Sequence, residues 1–238
     1  MSLATRSLVV TRPEAPAGLT AIPVRTPLVH PGDDLAAVVA EAVRGIARPG
    51  DVVAVSETAV AIAQGEFLAA EYVRPSRLAY AIARRAHPMA TISQPESIQL
   101  VIDRVGVWKV IYATIVQSVS RLVGRRGVFY ELMGDAIAAF DGYTGTMPPF
   151  ERAIVFAPRD PNDFAQRLRD RIGIACAVVD ANDLGRAKVL GSSGDVCAEA
   201  VEAALLDNPG GNSDEQTPVV VLKSRASGAN PLLRREST

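Results

Sequence analysis

Two apolar segments of the sequence each end on an aspartate, and an acidic, glycine-rich segment follows the second one. The aspartates are Asp141 and Asp180, and the glycine-rich segment covers residues 208–217. Two carboxylates with a third nearby are the ligands that Mg²⁺ or Mn²⁺ uses when it also holds nucleotide phosphates. The backbone N–H groups of a glycine-rich loop can approach such phosphates closely. An aspartate that follows a strand is also a common turn residue or helix cap, so the residues alone leave both interpretations open.

Three polar residues form a second candidate site. Ser56, Glu57 and Thr58 directly follow the apolar run Val52–Val55, which is typical of a strand buried on both faces. Polar groups at the end of such a strand often face a ligand in α/β proteins. Ser and Thr also favour the first positions of a helix for local reasons, and the two roles are compatible.

A pair of arginines forms a third candidate. Arg125 and Arg126 lie between Gly124 and Gly127, where two guanidinium groups could bind a phosphate or a carboxylate. A tight basic turn in contact with solvent is the alternative, and the residues do not decide between the two.

Hydrophobic spacing and turn residues predict the elements that must position these side chains. Asp33 and Asp34 stand where a helix needs an N-cap. We predict helices over residues 35–46, 59–64, 75–85, 97–105, 108–123, 163–172 and 195–206. The segment 108–123 is rich in β-branched residues and could also form a strand, but its length favours a helix. We predict strands over residues 21–24, 52–55, 128–133, 135–141, 153–156, 174–179 and 218–223. The two strands before residue 141 would form a hairpin around Gly134, and the strand–helix–strand order over 153–179 would form a crossover unit.

The composition is that of an ordinary globular protein, and it argues against nucleic acid and a membrane span as partners. Of the 238 residues, 48% are hydrophobic and 21% are charged, and the formal net charge of −1 provides no basic field for nucleic acid. Only Cys176 and Cys197 are present, and no charged-then-apolar leader with a cleavage site is visible, so we expect a cytoplasmic protein. Charged residues interrupt the most apolar window, 101–123. We expect two buried elements there and no membrane span, with a helix at the membrane interface as the alternative.

Several motifs together resemble the coenzyme F420-0:L-glutamate ligase family. PGDDLA at 31–36 and GDVVAVSETAVAIAQG at 50–65 are similar to the front of that family. FDGYTG at 140–145 and DANDLGR at 180–186 are similar to its G-I-D-x-S-N and D-T-N-G-R motifs. The strand, D-P-(D/N) loop and helix between them, and the later Gly/acid loop with a proline-led strand, follow in the same order. The resemblance therefore covers nearly the whole chain, from Pro23 to Lys223.

The resemblance implies a fold and an activity. The fold is a mixed α/β, F420-0:gamma-glutamyl ligase-like domain over 1–223, with possible subdomains at 22–150 and 151–223, followed by a flexible tail at 224–238. The family joins the α-amine of glutamate to a carboxylate of F420-0 through an acyl phosphate. It uses GTP, with ATP as the alternative here, together with Mg²⁺ or Mn²⁺. It forms a homodimer with its site near the interface.

The resemblance and the patterns described above imply roles for named residues, and no catalytic acid, base or nucleophile is among them. The metal ligands would be Asp141, Asp180 and Glu215. The nucleotide would contact Thr26, Leu28, Ser56, Glu57, Thr58, Asn212 and Asp214. The carboxylate substrate and glutamate would contact Arg125, Arg126, Thr144 and Asn182.

The sequence departs from the family pattern at several of these places. Thr144 replaces the metal-site Asn, Ala181 replaces the Thr after the second Asp, and Ile62 stands at the position of a nucleotide-contacting Lys. The segment 187–194 is shorter than in the family, and Asn-Pro-Gly-Gly replaces a Met-Gly-Glu loop start. A catalytically inactive relative that binds a small anionic metabolite or a nucleotide is therefore the alternative function.

Overall fold

The computed structural model describes residues 18–86, 93–122, 124–125, 127–134, 140–141, 148–183, 185–211, 215–224 and 230–234. The helices are α1 (Leu35–Ala42), α2 (Glu57–Gln64), α3 (Arg77–Ala83), α4 (Pro95–Val105), α5 (Val107–Leu122), α6 (Val128–Met133), α7 (Pro161–Ile172) and α8 (Ala198–Leu205). The strands are β1 (Leu19–Val24), β2 (Val52–Ser56), β3 (Phe67–Ala69), β4 (Phe140–Asp141), β5 (Ala153–Phe156), β6 (Ala175–Asn182), β7 (Arg186–Ser192) and β8 (Val219–Ser224). This mixed α/β architecture confirms the predicted fold class.

The larger sheet contains five strands in the order β1-β8-β2-β6-β7. The β2–β6 pair is parallel, and the β1–β8, β8–β2 and β6–β7 pairs are antiparallel. Strand β1 forms an edge, as predicted from Pro23, because proline has no N–H to donate to a second neighbour. Strands β2 and β6 lie in the middle because their apolar runs can be buried on both faces.

Helices cover both faces of this sheet. Alternate residues of β2, such as Val53 and Val55, face a core formed with α1, α2 and α7. Val52 and Ala54 face the opposite core, formed with α8. The N-cap of α1 is Asp34, as predicted, and its carboxylate accepts the backbone N–H of Ala37 at 3.0 Å. No described helix has the length and apolarity that a membrane crossing requires.

The smaller sheet has three antiparallel strands in the order β3-β5-β4, and it packs with α3, α4, α5 and α6. Strand β5 therefore belongs to this sheet, whereas β6 belongs to the larger one. The predicted crossover unit over 153–179 is wrong for this reason, since α7 connects two different sheets. The parallel neighbour of β6 is β2, whose run of small and β-branched residues matches it across five registered positions. A boundary at residue 150 would also separate β5 from its partners β3 and β4.

The prediction of a strand over 128–133 is wrong, because this segment forms α6. Phe129 and Met133 are four residues apart, and both are buried against α4 and α5. The side chain of Gln117 on α5 accepts the backbone N–H of Phe129 at 2.9 Å and so supports the first turn of α6. Packing at a helical spacing has overridden the strand preference of aromatic and β-branched residues. Residues 135–139 of the predicted hairpin lie outside the described residues, whereas the predicted helix over 108–123 is confirmed as α5.

The expected flexible tail contains a packed segment. Leu232 is fully buried beside α8, and its carbonyl accepts the backbone N–H of Cys197 at 2.8 Å. Leu233 forms an isolated bridge with Val196. Residues 230–234 are therefore part of the folded domain, because one large apolar side chain reaches the core beyond the polar residues that follow β8.

Candidate functional site

A cavity of about 190 Å³ lies at the edge of the larger sheet where β2 ends. Strands β2 and β6 are parallel and end at this edge, and β8, antiparallel to β2, begins there. The strand order thus brings loops together that are far apart in the sequence. The cavity is lined by Thr26, Pro27, Leu28, Val29, Ala54, Ser56, Thr58, Ala59, Ile62, Phe150, Val179, Ala181, Leu205, Asn208, Gly210, Gly211, Glu215, Gln216, Thr217, Pro218 and Val220.

Backbone hydrogen bonds connect the loops around the cavity. The N–H of Thr26, after β1, donates to the carbonyl of Gln216 at 3.1 Å. The N–H of Ser56, at the end of β2, donates to the carbonyl of Pro218 at 2.8 Å. The guanidinium of Arg25 also donates to the side-chain oxygen of Gln216 at 3.0 Å. The segment before β8 is therefore held against both other loops, and a cation lies beside one lining residue.

The first turn of α2 forms one wall of the cavity. Ser56 occupies the N-cap position, as one of the two interpretations of the sequence predicts, but its side chain makes no capping hydrogen bond. Ser56, Thr58 and Ala59 all line the cavity. The N-terminus of a helix carries partial positive charge and favours anions. This wall can therefore bind a negatively charged group through hydroxyl and backbone N–H donors.

The glycine-rich segment forms the opposite wall, where Gly211 and Glu215 are in close contact. Gly211 has a φ of +72°, and a Cβ there would come within 2.6 Å of the Glu215 carboxyl carbon. The carboxylate therefore occupies space that only a glycine leaves open. Asn208 and Gln216 also have positive φ values, of 45° and 58°. This loop is tightly folded, and it places a carboxylate at the cavity wall.

The two predicted metal-binding aspartates have different positions. Asp180 is on β6 between Val179 and Ala181, which line the cavity, whereas Asp180 does not. Successive side chains of a strand point to opposite faces, so the carboxylate of Asp180 points away from the cavity. Burial raises the pKa of Asp180, and the neighbouring Arg186 lowers it by a smaller amount. Asp141 is paired with Val155 in the smaller sheet, and its side chain lies outside the described part of the structure.

The carboxylates near the cavity are too few, among the described residues, to hold a metal ion by themselves. Among them, no group of three or more His, Cys, Asp or Glu side chains is arranged to hold one. Glu215 is the one carboxylate among the described residues of the cavity wall. Mg²⁺ and Mn²⁺ prefer several oxygen ligands, so this described donor set does not form a metal site by itself.

The other predicted residues are distributed as follows. Thr26, Leu28, Ser56, Thr58 and Glu215 meet at the cavity. Among the described residues, Glu57, Asn182 and Arg125 do not line it. Arg125 instead forms a 2.7 Å ion pair with Glu131 of α6. The remaining predicted residues, which lie outside the described ones, are Arg126, Thr144, Asn212 and Asp214.

Several cavity residues were not predicted to have a role. Phe150 and Leu205 carry no recognisable signal, because an apolar residue at a cavity looks like any core residue in the sequence. Asn208 and Gln216 lie within the glycine-rich segment that was singled out, so their region was found although they were not. Ile62, noted only as a departure from the family pattern, lines the cavity and is 6% exposed.

Comparison with known proteins agrees with these motifs and with the fold. The sequence profile described as F420-0:Gamma-glutamyl ligase matches residues 23–194. The chain belongs to the F420-0:gamma-glutamyl ligase family. A protein named coenzyme F420:L-glutamate ligase, from Methanopyrus kandleri, is 25% identical over 244 aligned residues, which cover 87% of this chain and 85% of that protein. The match confirms the predicted family, and the low identity confirms a divergent member. The glycine-rich segment of this F420-0:gamma-glutamyl ligase family member follows the region that the profile matches.

Proposed function

We propose that this protein is a ligase of coenzyme F420 biosynthesis that joins glutamate, or a related amine, to the carboxylate of F420-0 or a similar acid. The supporting observation is the cavity, which brings the predicted nucleotide residues Thr26 and Leu28, after β1, next to Ser56 and Thr58 at the N-terminus of α2. We further propose that the reaction uses GTP or ATP and a divalent cation. The name of the relative from Methanopyrus kandleri supports glutamate as the amine.

The chemistry of the walls suggests how a nucleotide would lie. The hydroxyl groups of Ser56 and Thr58 at the start of α2 suit phosphate oxygens, because both can donate hydrogen bonds where the helix dipole is positive. The apolar wall that includes Leu28 and Ile62 suits a base or ribose face. We therefore propose that the phosphates lie toward α2 and the base toward the apolar wall.

The proposed reaction has two steps. A carboxylate oxygen of the acceptor attacks the γ-phosphorus, and the bond from that phosphorus to the bridging oxygen breaks, which yields an acyl phosphate and a nucleoside diphosphate. The unprotonated amine of glutamate then attacks the acyl carbon, inorganic phosphate leaves, and the nitrogen loses a proton as the amide forms. The cavity contributes by holding the reactants together and by donating hydrogen bonds to the phosphates.

Mg²⁺ or Mn²⁺ is part of the proposal and would neutralise phosphate charge when bound. The ligands would be Glu215 at the cavity wall together with the predicted Asp141, because the carboxylate of Asp180 points away from the cavity. Because the described carboxylates do not form a metal site by themselves, the roles given above to Ser56, Thr58 and the apolar wall do not depend on the cation.

Thermal unfolding with added GTP or ATP and with Mn²⁺ or Mg²⁺ tests the binding part of this proposal. A ligand that binds only the folded state raises the temperature of the unfolding midpoint. At a ligand concentration of one hundred times Kd, the free energy of unfolding increases by about 2.7 kcal/mol. Asp141→Asn and Glu215→Gln should remove the shift caused by the cation. Phosphate release that requires both glutamate and F420-0 tests the ligase part. Absence of any stabilisation by nucleotide or metal would contradict the proposal.

A catalytically inactive relative that binds a small anionic metabolite or a nucleotide is the second candidate. It is favoured by the cavity wall, in which the described residues include no Lys or Arg and Ile62 replaces a nucleotide-contacting Lys. This candidate predicts ligand binding without phosphate release. The phosphate-release assay with glutamate and F420-0 therefore distinguishes it from the ligase.

A further inference from the structure

The C-terminal residues 230–234, which we call the C-terminal strap, lie where two elements that lead to the cavity begin. Strand β2 begins two residues after Gly50, which the strap contacts, and it ends at Ser56 on the cavity wall. Helix α8 also begins beside the strap, and its last residue, Leu205, lines the cavity. No described residue of the strap lines the cavity itself. The strap can therefore affect the cavity only through the elements that it holds.

Asn230 fastens the strap to the turn before β2. Its side-chain N–H donates to the carbonyl of Gly50 at 2.5 Å. Its side-chain oxygen accepts the backbone N–H of Leu232 at 3.1 Å. One amide group therefore fixes the bend of the strap and also connects the strap to the start of the central strand.

The strap also pairs with the residues at the start of α8. Cys197 is the N-cap residue, but its side chain makes no capping hydrogen bond. The N–H of Cys197 donates to the carbonyl of Leu232 at 2.8 Å, and the N–H of Arg234 donates to the carbonyl of Asp195 at 2.8 Å. Backbone hydrogen bonds from a distant part of the chain therefore hold the start of α8.

Leu232 fills the same apolar core that forms the floor of the cavity. It is 0% exposed and belongs to the core between α8 and the larger sheet. Ala54, Val179, Leu205 and Val220 belong to this core and also line the cavity. Because protein cores are closely packed, a volume lost at one position changes the positions of its neighbours.

Helix α8 connects the strap to the glycine-rich wall of the cavity. Its eight residues extend over about 12 Å, and Asn208, Gly210 and Gly211 follow it on the cavity wall. The N–H of Asn208 donates to the carbonyl of Leu205 at 2.9 Å, and the N–H of Gly211 donates to the carbonyl of Asn208 at 3.0 Å. Because these hydrogen bonds join the wall to the helix, a shift of α8 also moves the wall.

We propose that the C-terminal strap positions the cavity wall over residues 205–211, with Leu232 as its positioning residue. With the strap in place, α8 is held at its start and the wall keeps the shape that accepts a ligand. Because coupling between two sites is reciprocal, a ligand bound in the cavity also stabilises the docked strap. The family profile matches residues 23–194, so both α8 and the strap lie beyond the matched region.

Hydrogen exchange of the full chain, followed by mass spectrometry without ligand and well below the unfolding temperature, tests the effect on the wall. Leu232→Ala should speed exchange over residues 197–211 by about 30-fold or more, the change in opening equilibrium expected for a buried Leu→Ala substitution. Exchange in α2, residues 57–64, should stay unchanged.

Leu168→Ala is the matched control for this experiment. Leu168 is also 0% exposed, but it lies in the core on the opposite face of the sheet. This variant should lose a similar amount of stability and keep the wild-type exchange over residues 205–211. Equal acceleration in both variants, or an acceleration with Leu232→Ala that stops at residue 197, would overturn the proposal.

Asn230→Asp tests the strap without changing the core, so it also decides the matter if Leu232→Ala does not fold. The variant removes the donor to Gly50 and keeps the acceptor for Leu232. We expect exchange over residues 197–211 to speed by about fivefold, as for the loss of one hydrogen bond. A folded Asn230→Asp variant with wild-type exchange in this segment would overturn the proposal.

Calorimetric titration with GTP tests the coupling to a ligand. Taking a nucleotide as the cavity ligand rests on the proposed function. Leu232→Ala should raise Kd for GTP by about fivefold or more, within the usual range of coupling between sites, and Leu168→Ala should leave Kd unchanged. GTP should also slow exchange at Cys197 in the wild type, although Cys197 does not line the cavity.

The two experiments separate failure of the strap from failure of the proposed function. A wild type that binds GTP, together with a Leu232→Ala variant of the same Kd, would overturn the coupling. A wild type that binds no nucleotide would contradict the proposed function, whereas the exchange measurements without ligand would still decide whether the strap positions the wall.

Discussion

The cavity and one face of α5 are both surfaces lined by apolar side chains, but the chain builds them in different ways. The cavity is concave and combines the loop after β1, the end of β2 with the first turn of α2, residues of β6 and the loop before β8. On α5, Trp108, Tyr112, Ile115 and Val119 are 79%, 60%, 58% and 58% exposed, and we call these four residues the α5 stripe. The stripe is convex and lies within twelve consecutive residues of one helix. The cavity mixes hydroxyl, amide and carboxylate groups with its apolar wall, whereas the polar groups of the stripe are the tyrosine hydroxyl and the tryptophan N–H.

The concave cavity suits a small ligand, and the convex stripe suits a protein partner. A small ligand needs a concave site with a few oriented polar groups, which only several segments meeting at one point can supply. A protein partner needs area and complementary shape, which a single helix face can supply. We therefore expect substitutions at the cavity to change ligand binding without changing association with a protein partner, and substitutions in the stripe to do the reverse.

Gly211→Ala should have the largest effect on the cavity. It adds a Cβ at a φ of +72° and within 2.6 Å of the Glu215 carboxyl group. We expect a loss of about 3 kcal/mol in the free energy of unfolding and loss of the stabilisation by nucleotide, measured by denaturant titration with and without GTP. Gly173→Ala is the matched control, since Gly173 has a φ of +70° with no atom within 4 Å of the added Cβ. Equal losses for both variants would contradict the contact with Glu215.

Ile62→Lys should make the stability of the protein depend more strongly on GTP, because it places a cation at the cavity wall. Ile62 is 6% exposed, and burial of an ammonium group without a partner should lower the free energy of unfolding by about 2 kcal/mol. A bound triphosphate would pair with that charge, so GTP should recover most of the loss. Thermal unfolding with and without GTP measures both effects, and Ile62→Met is the uncharged control. A Lys variant that GTP does not stabilise more than the Met variant would place the phosphates elsewhere.

Arg25→Met should weaken triphosphate binding without changing association. The Arg25 guanidinium donates to Gln216 at the cavity wall at 3.0 Å, and we expect this cation to attract the negatively charged phosphates of a bound nucleotide. Hydrogen bonds to charged groups contribute about 1.5–3 kcal/mol, so we expect Kd for GTP to rise by about tenfold or more. Calorimetric titration measures this change. Arg25→Lys should recover part of the affinity, and full affinity in Arg25→Met would exclude the contact.

Asp180→Asn should have the smallest effect and a characteristic pH dependence. Burial raises the pKa of Asp180, so the folded state disfavours its charged form. The resulting loss of stability is absent at low pH and develops as the pH rises above about 4, the pKa of an unfolded Asp. Asp180→Asn should therefore unfold at a slightly higher temperature than the wild type at pH 7, and at the same temperature near pH 3.

The matched control for this experiment is Asp183→Asn, because Asp183 is exposed and its side-chain oxygen can still accept from Asn208 after the change. It should leave the pH dependence unchanged. If Asp180→Asn is less stable than the wild type at neutral pH without metal, the carboxylate makes a favourable interaction that burial does not explain.

Much of the local structure could be predicted from the sequence. The cap at Asp34, the buried strand β2, the edge position of β1 and the helix α5 all follow from patterns within a few residues. The segment that became α6 was predicted wrongly, because its first three residues prefer strands and its helical form depends on packing against α5. Packing against the rest of the molecule likewise decided that Leu232 is buried.

The candidate site was predictable only in part. Ser56 and Thr58 were found because a polar run after a buried strand has a short-range signature, and Glu215 was found through the family resemblance. Phe150 and Leu205 had no signature, because their role depends on which elements lie opposite them. The direction of the Asp180 carboxylate depends on which face of β6 meets the cavity, and this is a property of the sheet.

The sequence by itself determined the family, the mixed α/β class and the apolar periodicity of α5, since each is encoded in neighbouring residues or in ordered motifs. Only the tertiary structure decided that β2 lies between β8 and β6, that β5 joins a second sheet, and that segments distant in the sequence enclose one cavity. The physical reason is that helix and strand periods arise from local backbone geometry. Strand partners and cavities arise instead from the requirement that apolar faces from distant parts of the chain be buried together.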